Sequence, residues 1–365
     1  MTIENIYLNS NLKFNLIMFK PLLFITFTLF IIGGGLFFYQ DKTYFTKTQN
    51  SNISREKLIE RLDTKALNQI KIQAEGSEVD LLQLQGGGWK VQSLNYDADI
   101  ISIQDLLLNL AQIRLGELVT NNPDHHERFH LLAPPEKMDD WNENRHGFAI
   151  SLLRGDGTPI LSLLIGKDRA NGPGQYVRQR GSNKVYLIPE SLSVDSEAND
   201  WLNKDLLDLE SEQIQSIELQ DGEKNNFSIK RDNAETDWKP STVISNVPDS
   251  DKITTLLNRL GNLSFAKLNK MDYASQESQD SALEEASLSV SLFNSKVYTL
   301  NLRKNAAPNG DYVLSLRMGI SLEASDSADK EDPKLHKEME IFNHRVNGRF
   351  FNISSWEGKE LLLSD

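Results

Sequence analysis

Apolar residues recur at helical spacing twice along this chain, at a constant separation. Ile103, Leu106, Leu107, Leu110 and Ile113 form one stripe, and Ile253, Leu256, Leu257, Leu260 and Leu263 repeat it 150 positions on. Each stripe places its side chains on one helix face. Asp99 and Asp249 stand before the two helices as N-terminal caps or first-turn acids. Trp89-Lys90 and Trp238-Lys239 precede them in turn. Further upstream, Ile70/Ile72 with Val79/Leu81, and Ile217/Leu219 with Phe227/Ile229, carry the period of two that puts side chains on one sheet face.

Alternating hairpins follow each helix. Phe148–Leu153 turns through Gly155-Asp156-Gly157 into Ile160–Ile165, and Leu288–Leu292 turns near Asn294-Ser295 into Val297–Leu302. A further hairpin pairs Tyr176-Val177 with Val185–Ile188; its counterpart leaves Tyr312-Val313 and returns through Arg349–Ile353. Each copy closes on a similar string, Trp201–Leu207 and Trp356–Leu362. The pattern predicts an α+β fold: two tandem repeats, 66–209 and 213–363, each a mostly antiparallel sheet with one main packed helix. A polar insertion at Ser321–Lys337 is expected to be a solvated loop. The four repeat tryptophans, Trp89, Trp201, Trp238 and Trp356, are expected to pack rather than stack on a ligand.

The N-terminal part breaks this pattern. No charge interrupts the 19 residues Pro21–Tyr39. As a helix they extend roughly 28 Å, close to the hydrocarbon thickness of a bilayer. We expect a cytoplasmic segment (1–20), a transmembrane anchor (21–39), and a tether with a brief helix at Ser54–Leu62 (40–65). A cleaved signal peptide, cut near Gly33-Gly34-Gly35, is the alternative, but the run exceeds a usual signal core of about 7–15 residues. Lys13 and Lys20 precede the run while Lys42, Lys47, Arg55 and Lys57 follow it, so charge alone does not orient it.

The formal charge of −13 repels phosphate, so nucleic acid is not an expected partner. The absence of cysteine excludes disulfides, thiolate nucleophiles and Cys-ligated zinc.

One catalytic-looking string is present. His126-Glu127-Arg128-Phe129-His130 fits H-E-x-x-H, in which two helical histidines hold zinc and the glutamate is general base. Pro123 and Pro134-Pro135 leave little room for that helix, and a third ligand would have to come from Glu136, Glu143 or His146. We therefore expect a solvated loop, with zinc at His126, Glu127 and His130 as the minority alternative. Gly86-Gly87-Gly88 and Gly172-Pro173-Gly174 read as turns. No catalytic residue and no cofactor is assigned.

The order Gly88-Trp89-Lys90-Val91, Asp97-Ala98-Asp99, Leu106-Leu107-Leu108-x-Leu110, Ile165-Gly166-Lys167, Gln175-Tyr176-Val177-Arg178, Val185-Tyr186-Leu187 and Trp201-Leu202-Asn203-Lys204 resembles a bacterial family. That family is a domain of unknown function in membrane-anchored envelope proteins, often encoded beside ABC-type transport components related to gliding-motility systems. The resemblance covers most of residues 54–365, more sharply in the first copy. It implies an inner-membrane, single-pass anchor, a periplasmic repeat domain, and a non-enzymatic accessory role with ABC permease or ATPase components as partners. It supplies no catalytic residues. Copy two departs from it, with Asn301-Leu302-Arg303-Lys304 in place of the Ile-Gly-Lys step. A zinc-dependent hydrolase, or a glycan- or peptide-binding module using the groove between the copies, are the other functions considered.

Overall fold

The computed structural model describes residues 57–58, 62–222, 225–241, 247–269, 285–304, 310–321 and 332–364. The expected anchor at 21–39, most of the tether and the first part of the polar insertion lie outside the described residues. Among those described, no helix is long and apolar enough to cross a membrane.

The chain is α+β with antiparallel sheets. Its first sheet is built from β1 (Gln69–Ala74), β2 (Ser77–Gln83), β3 (Trp89–Val91) and β4 (Tyr96–Asp97), then, beyond helix α1 (Ile100–Gln112), β5 (Leu118–Thr120), β6 (Phe148–Leu153), β7 (Pro159–Asp168), β8 (Gln175–Gln179) and β9 (Val185–Ile188). A short β10 (Asp205–Leu207) leads into the second sheet: β11 (Ile214–Gln220), β12 (Phe227–Lys230) and β13 (Lys239–Pro240). Helix α2 (Ser250–Leu260) and the short β14 (Leu263–Ser264) follow. Next come β15 (Lys267–Asn269), β16 (Glu285–Leu292), β17 (Lys296–Lys304) and β18 (Tyr312–Ile320). Helix α3 (Pro333–Val346), β19 (Phe350–Ile353) and helix α4 (Ser355–Leu362) complete the chain.

The sheets repeat one order. The first runs β4-β3-β2-β1-β6-β7-β8-β9-β5 and the second β13-β12-β11-β16-β17-β18-β19-β15. Strand for strand the second matches the first, except that β4 has no counterpart among the described residues. The apolar pairs fall opposite one another, Ile70 with Leu81 and Ile72 with Val79, Ile217 with Ile229 and Leu219 with Phe227. Cross-strand apolar pairs of this kind fix register, because a slip of one residue would turn every such side chain to the other face.

Both helix stripes are buried at equivalent positions, Ile103, Leu106 and Leu110 in α1, Ile253, Leu256 and Leu260 in α2. Asp99 caps α1, accepting from the Ile101 and Ser102 amides, whereas Asp249 makes no side-chain cap bond. The two copies share one continuous apolar core. They are also stitched by backbone: β10 pairs with β14, the Leu209 amide donates to Leu260 O at 3.2 Å, and the Phe265 amide donates to Lys204 O at 3.1 Å.

Several expectations need correction. Copy two carries three helices among its described residues, not one. The end of the polar insertion is helix α3, started by Pro333 and by Asp332, whose side chain accepts from the Lys334 amide. Asn343 docks this helix on β18 through both backbone groups of Met318, each at 2.8 Å. Trp201–Leu207 and Trp356–Leu362 are alike in sequence but not in conformation. The first is a 3₁₀ turn followed by β10; the second is α4, nucleated by a capping box between Ser354 and Glu357. Trp89 and Trp201 are buried and Trp238 is half-buried under Arg231, but Trp356 is 62% exposed. The Arg259 guanidinium lies 4.4 Å over the Trp356 ring while pairing with Glu357 and Glu360. Within the span expected to be a brief helix, Lys57 forms an antiparallel bridge to Arg114, and Leu58 donates to Ile113 O at 3.0 Å.

Candidate functional site

The H-E-x-x-H string folds as two 3₁₀ turns, Pro123–His125 and Glu127–Phe129, not as an α-helix. His130 ends the second turn in the left-handed region at φ 58°. The helical i, i+4 relation that would aim both histidines at one metal is therefore lost. His126 is buried, its Nε2 3.0 Å from Asn183 O, and Glu127 pairs with Arg145 at 3.0 Å. Burial, with Lys167 nearby, lowers the His130 imidazole below its usual range while Glu143 pulls the other way. Of the other candidate ligands, Glu136 is exposed and His146 turns its Nδ1 to the backbone of Asn142. Among the described residues no three His, Asp or Glu side chains converge as a metal site.

The residues that carry the family resemblance explain this loop. Arg178 on β8 is buried and donates to Leu131 O through Nε (3.1 Å) and Nη2 (2.6 Å), and to Ser182 O through Nη1. Tyr176 packs against Phe129 with ring centroids 4.5 Å apart and the planes tilted by 45°. Gly166 on β7 lies directly beneath Phe129, and a Cβ there would overlap the Phe129 carbonyl oxygen. Phe129 and Leu131 join Ala149, Leu164 and Val185 in a satellite core. Gly166, Tyr176 and Arg178 thus form a clamp, and the histidine string is what they hold.

A second place was not marked by sequence. A groove of about 750 Å³ lies between β3–β4 of copy one and α3 of copy two, lined by Leu84, Tyr96, Ile341, Phe342, Arg345 and Arg349 among others. It exists because β18 and β19 are joined through α3, whereas residues 180–184 join β8 to β9 directly. Arg349 reaches across the copies, donating to Leu94 O (3.0 Å) and Asn95 O (2.6 Å), with its guanidinium 5.0 Å over the Tyr96 ring. Arg345 donates to Leu206 O at 3.0 Å. Tyr96 in turn meets Phe265 and Phe351 edge-on, at 5.7 and 6.0 Å. Its hydroxyl is buried without a hydrogen-bond partner among the described residues. Burial pushes that hydroxyl up to about 12, against the opposing pull of Arg345 and Arg349. Leu84 and Ile341 stand exposed on the two walls. Chemically this is a largely apolar cleft rimmed by guanidinium groups already bound to carbonyls and by the acids Asp97, Glu338 and Glu340, suited to docking an apolar group.

One signal did mark α3. Leu335, Met339, Phe342 and Val346 stand at helical spacing and pack on the common core. Nothing in the sequence singled out Tyr96 or Arg349, whose meeting depends on how the copies pack.

Two copies of one antiparallel sheet, each backed by a capped or acid-led helix, define the structural class. The chain belongs to the family described as a domain of unknown function (DUF4340), which matches residues 89–286, more than half of the chain. The matched stretch begins at β3 and ends in β16, so it contains the junction between the copies. No curated protein and no solved structure matches the chain.

Proposed function

We propose that this chain is a non-enzymatic accessory protein of an ABC-type transport assembly, anchored in the inner membrane through residues 21–39, with its two-copy body in the periplasm. The uncharged run and the family resemblance support the anchor and the partner. The observation that carries the non-enzymatic part is the clamp. The one catalytic-looking string is held by Gly166, Tyr176 and Arg178 as a structural loop, with His126 committed to a carbonyl and Glu127 to Arg145. The inter-copy groove is the surface we assign to partner contact.

Mild crosslinking in native membranes, followed by purification of the full chain, tests this. Permease or ATPase components are expected to accompany it and to be lost when Ile341→Asp charges the groove wall. A preparation that never contains a transport component sinks the proposal. Stoichiometric zinc in the purified chain, abolished by His126→Ala, would instead restore the hydrolase reading.

The groove also favours a second reading, a module that binds an envelope peptide or glycan there, because its lining sets the apolar Leu84 and Ile341 beside the polar Lys90, Asp97 and Glu340. Titration with such ligands should then depend on Ile341, and equal binding by Ile341→Asp would remove the groove from that reading.

A further inference from the structure

The duplication provides an internal control for the outer surface of each helix. α1 and α2 bury the same stripe against equivalent sheets, yet their outward faces differ. Ile100, Ile101 and Leu108 are 44%, 68% and 54% exposed on α1. Their counterparts 150 positions on are Ser250, Asp251 and Asn258, all exposed. An aliphatic at 101 and another at 108 fall on one ridge of the helix, two turns apart. Large exposed aliphatics are unremarkable when scattered, but three on one helix, where the duplicate has polar residues, mark a covered face.

The course of the chain says what covers it. The described chain enters at Lys57-Leu58, which pair with Arg114 and Ile113 at the C-terminal end of α1. The uncharged run 21–39 is joined to that point through residues 40–56. Fully extended, a tether of that length spans at most about 60 Å. α1 itself is about 20 Å long. An anchor in the bilayer therefore keeps the end of α1 within reach of the lipid surface. Lys57 and Arg114, both exposed, stand at this end, where cations suit both headgroup phosphates and the helix C-terminus. Asp105 is the one acid within α1, and it lies between Ile101 and Leu108, which holds the contact to headgroup depth.

We infer that the outward face of α1 rests on the membrane surface, with Ile100, Ile101 and Leu108 in the interface and Lys57 and Arg114 toward headgroups. This rests on the anchor reading above.

The chain has no cysteine, so a single introduced one is labelled uniquely. The full chain, reconstituted in vesicles of phosphatidylethanolamine and phosphatidylglycerol, would carry an environment-sensitive fluorophore at Gln104→Cys on α1. Parallel samples carry it at the equivalent Thr254→Cys on α2, or at Phe30→Cys in the apolar run. Nitroxide lipids labelled near the headgroup should quench the position-104 probe strongly and the position-254 probe little. Adding Ile101→Asp and Leu108→Asn, the residues α2 already carries, should abolish the difference. Equal quenching at 104 and 254, or a blue-shifted but unquenched probe at 104 as a protein or second copy would cause, overturns the inference. The position-30 probe separates the two readings. If it is quenched while 104 is not, the anchor stands and the docking face falls; if neither is quenched, both fall.

Discussion

Copy one and copy two keep the same sheet order and the same buried helix stripe, and differ almost wherever the chain leaves them. Copy one spends its long connection between α1 and β6 on the clamped histidine loop and joins β8 to β9 tightly. Copy two inserts α3 between the corresponding strands, β18 and β19. The lesson is physical. Cross-strand registers and a shared core penalise any change of pattern within strands, while a connection can lengthen at an entropic cost that grows only slowly with its length. The groove and the clamped histidine loop arise in these freer places, while the apolar face of α1 arises on the outward side of a helix, where no register is at stake.

The comparison can be broken hardest at the core. Leu110 and Leu260 are both fully buried at equivalent positions, so each Leu→Ala substitution should cost about 2–5 kcal/mol. Because one core runs through both copies, either variant should unfold in a single transition by urea and tryptophan fluorescence. Two separated transitions would show the copies to be independent. Next comes the clamp, which among the described residues belongs to copy one. Arg178→Met removes the donors to Leu131 O and Ser182 O and should cost about 2–3 kcal/mol, since buried carbonyls lose their partners. Proteolysis should then begin within 123–147; unchanged protection there would mean the loop holds itself.

A smaller contrast lies at the helix starts. Asp99→Ala should cost about 1 kcal/mol and Asp249→Ala much less, because only Asp99 makes cap bonds. Equal losses would show the cap to be incidental. Smallest is Tyr96→Phe, expected to be neutral or to stabilise by up to about 1 kcal/mol, as it removes a buried hydroxyl with no partner. The raised Tyr96 pKa predicts a pH effect of definite sign. The folded state holds the proton more tightly than the unfolded chain, so its stabilisation is complete below about 10 and is lost as pH rises toward about 12. Tyr96→Phe should flatten that alkaline decline, and an unaltered decline would assign it to other groups.

Much of the fold was legible because a duplicated pattern reports each element twice. The paired strands, the hairpin turns and the first four positions of each helix stripe fell where their periodicity put them, but the last position of each stripe lies beyond its helix, Ile113 at the C-cap and Leu263 in β14. The similar strings at Trp201 and Trp356 misled, since one must stay extended to pair with β14 while the other follows a capping box at Ser354. α3 was half-legible: its polar residues suggested a loop, although Leu335, Met339, Phe342 and Val346 carried the stripe. The histidine string looked like chemistry because a motif records spacing and not conformation. Only the three-dimensional positions of Gly166, Tyr176 and Arg178 reveal what it is held against. Tyr96 and Arg349 lie far apart in the chain, and no local pattern announces a contact of that range.

That last contact has a consequence for the order in which the protein is made. Ribosomes deliver Tyr96 early, but Arg349 and Phe351, which cover it, come only near the end. Residues 205–207 likewise wait for β14 before their strand has a neighbour. The first copy is therefore assembled with one flank open and is sealed by the final residues of the second. A chain released before position 349 would leave the Leu94 and Asn95 carbonyls and one side of the Tyr96 ring without the groups that cover them in the complete fold.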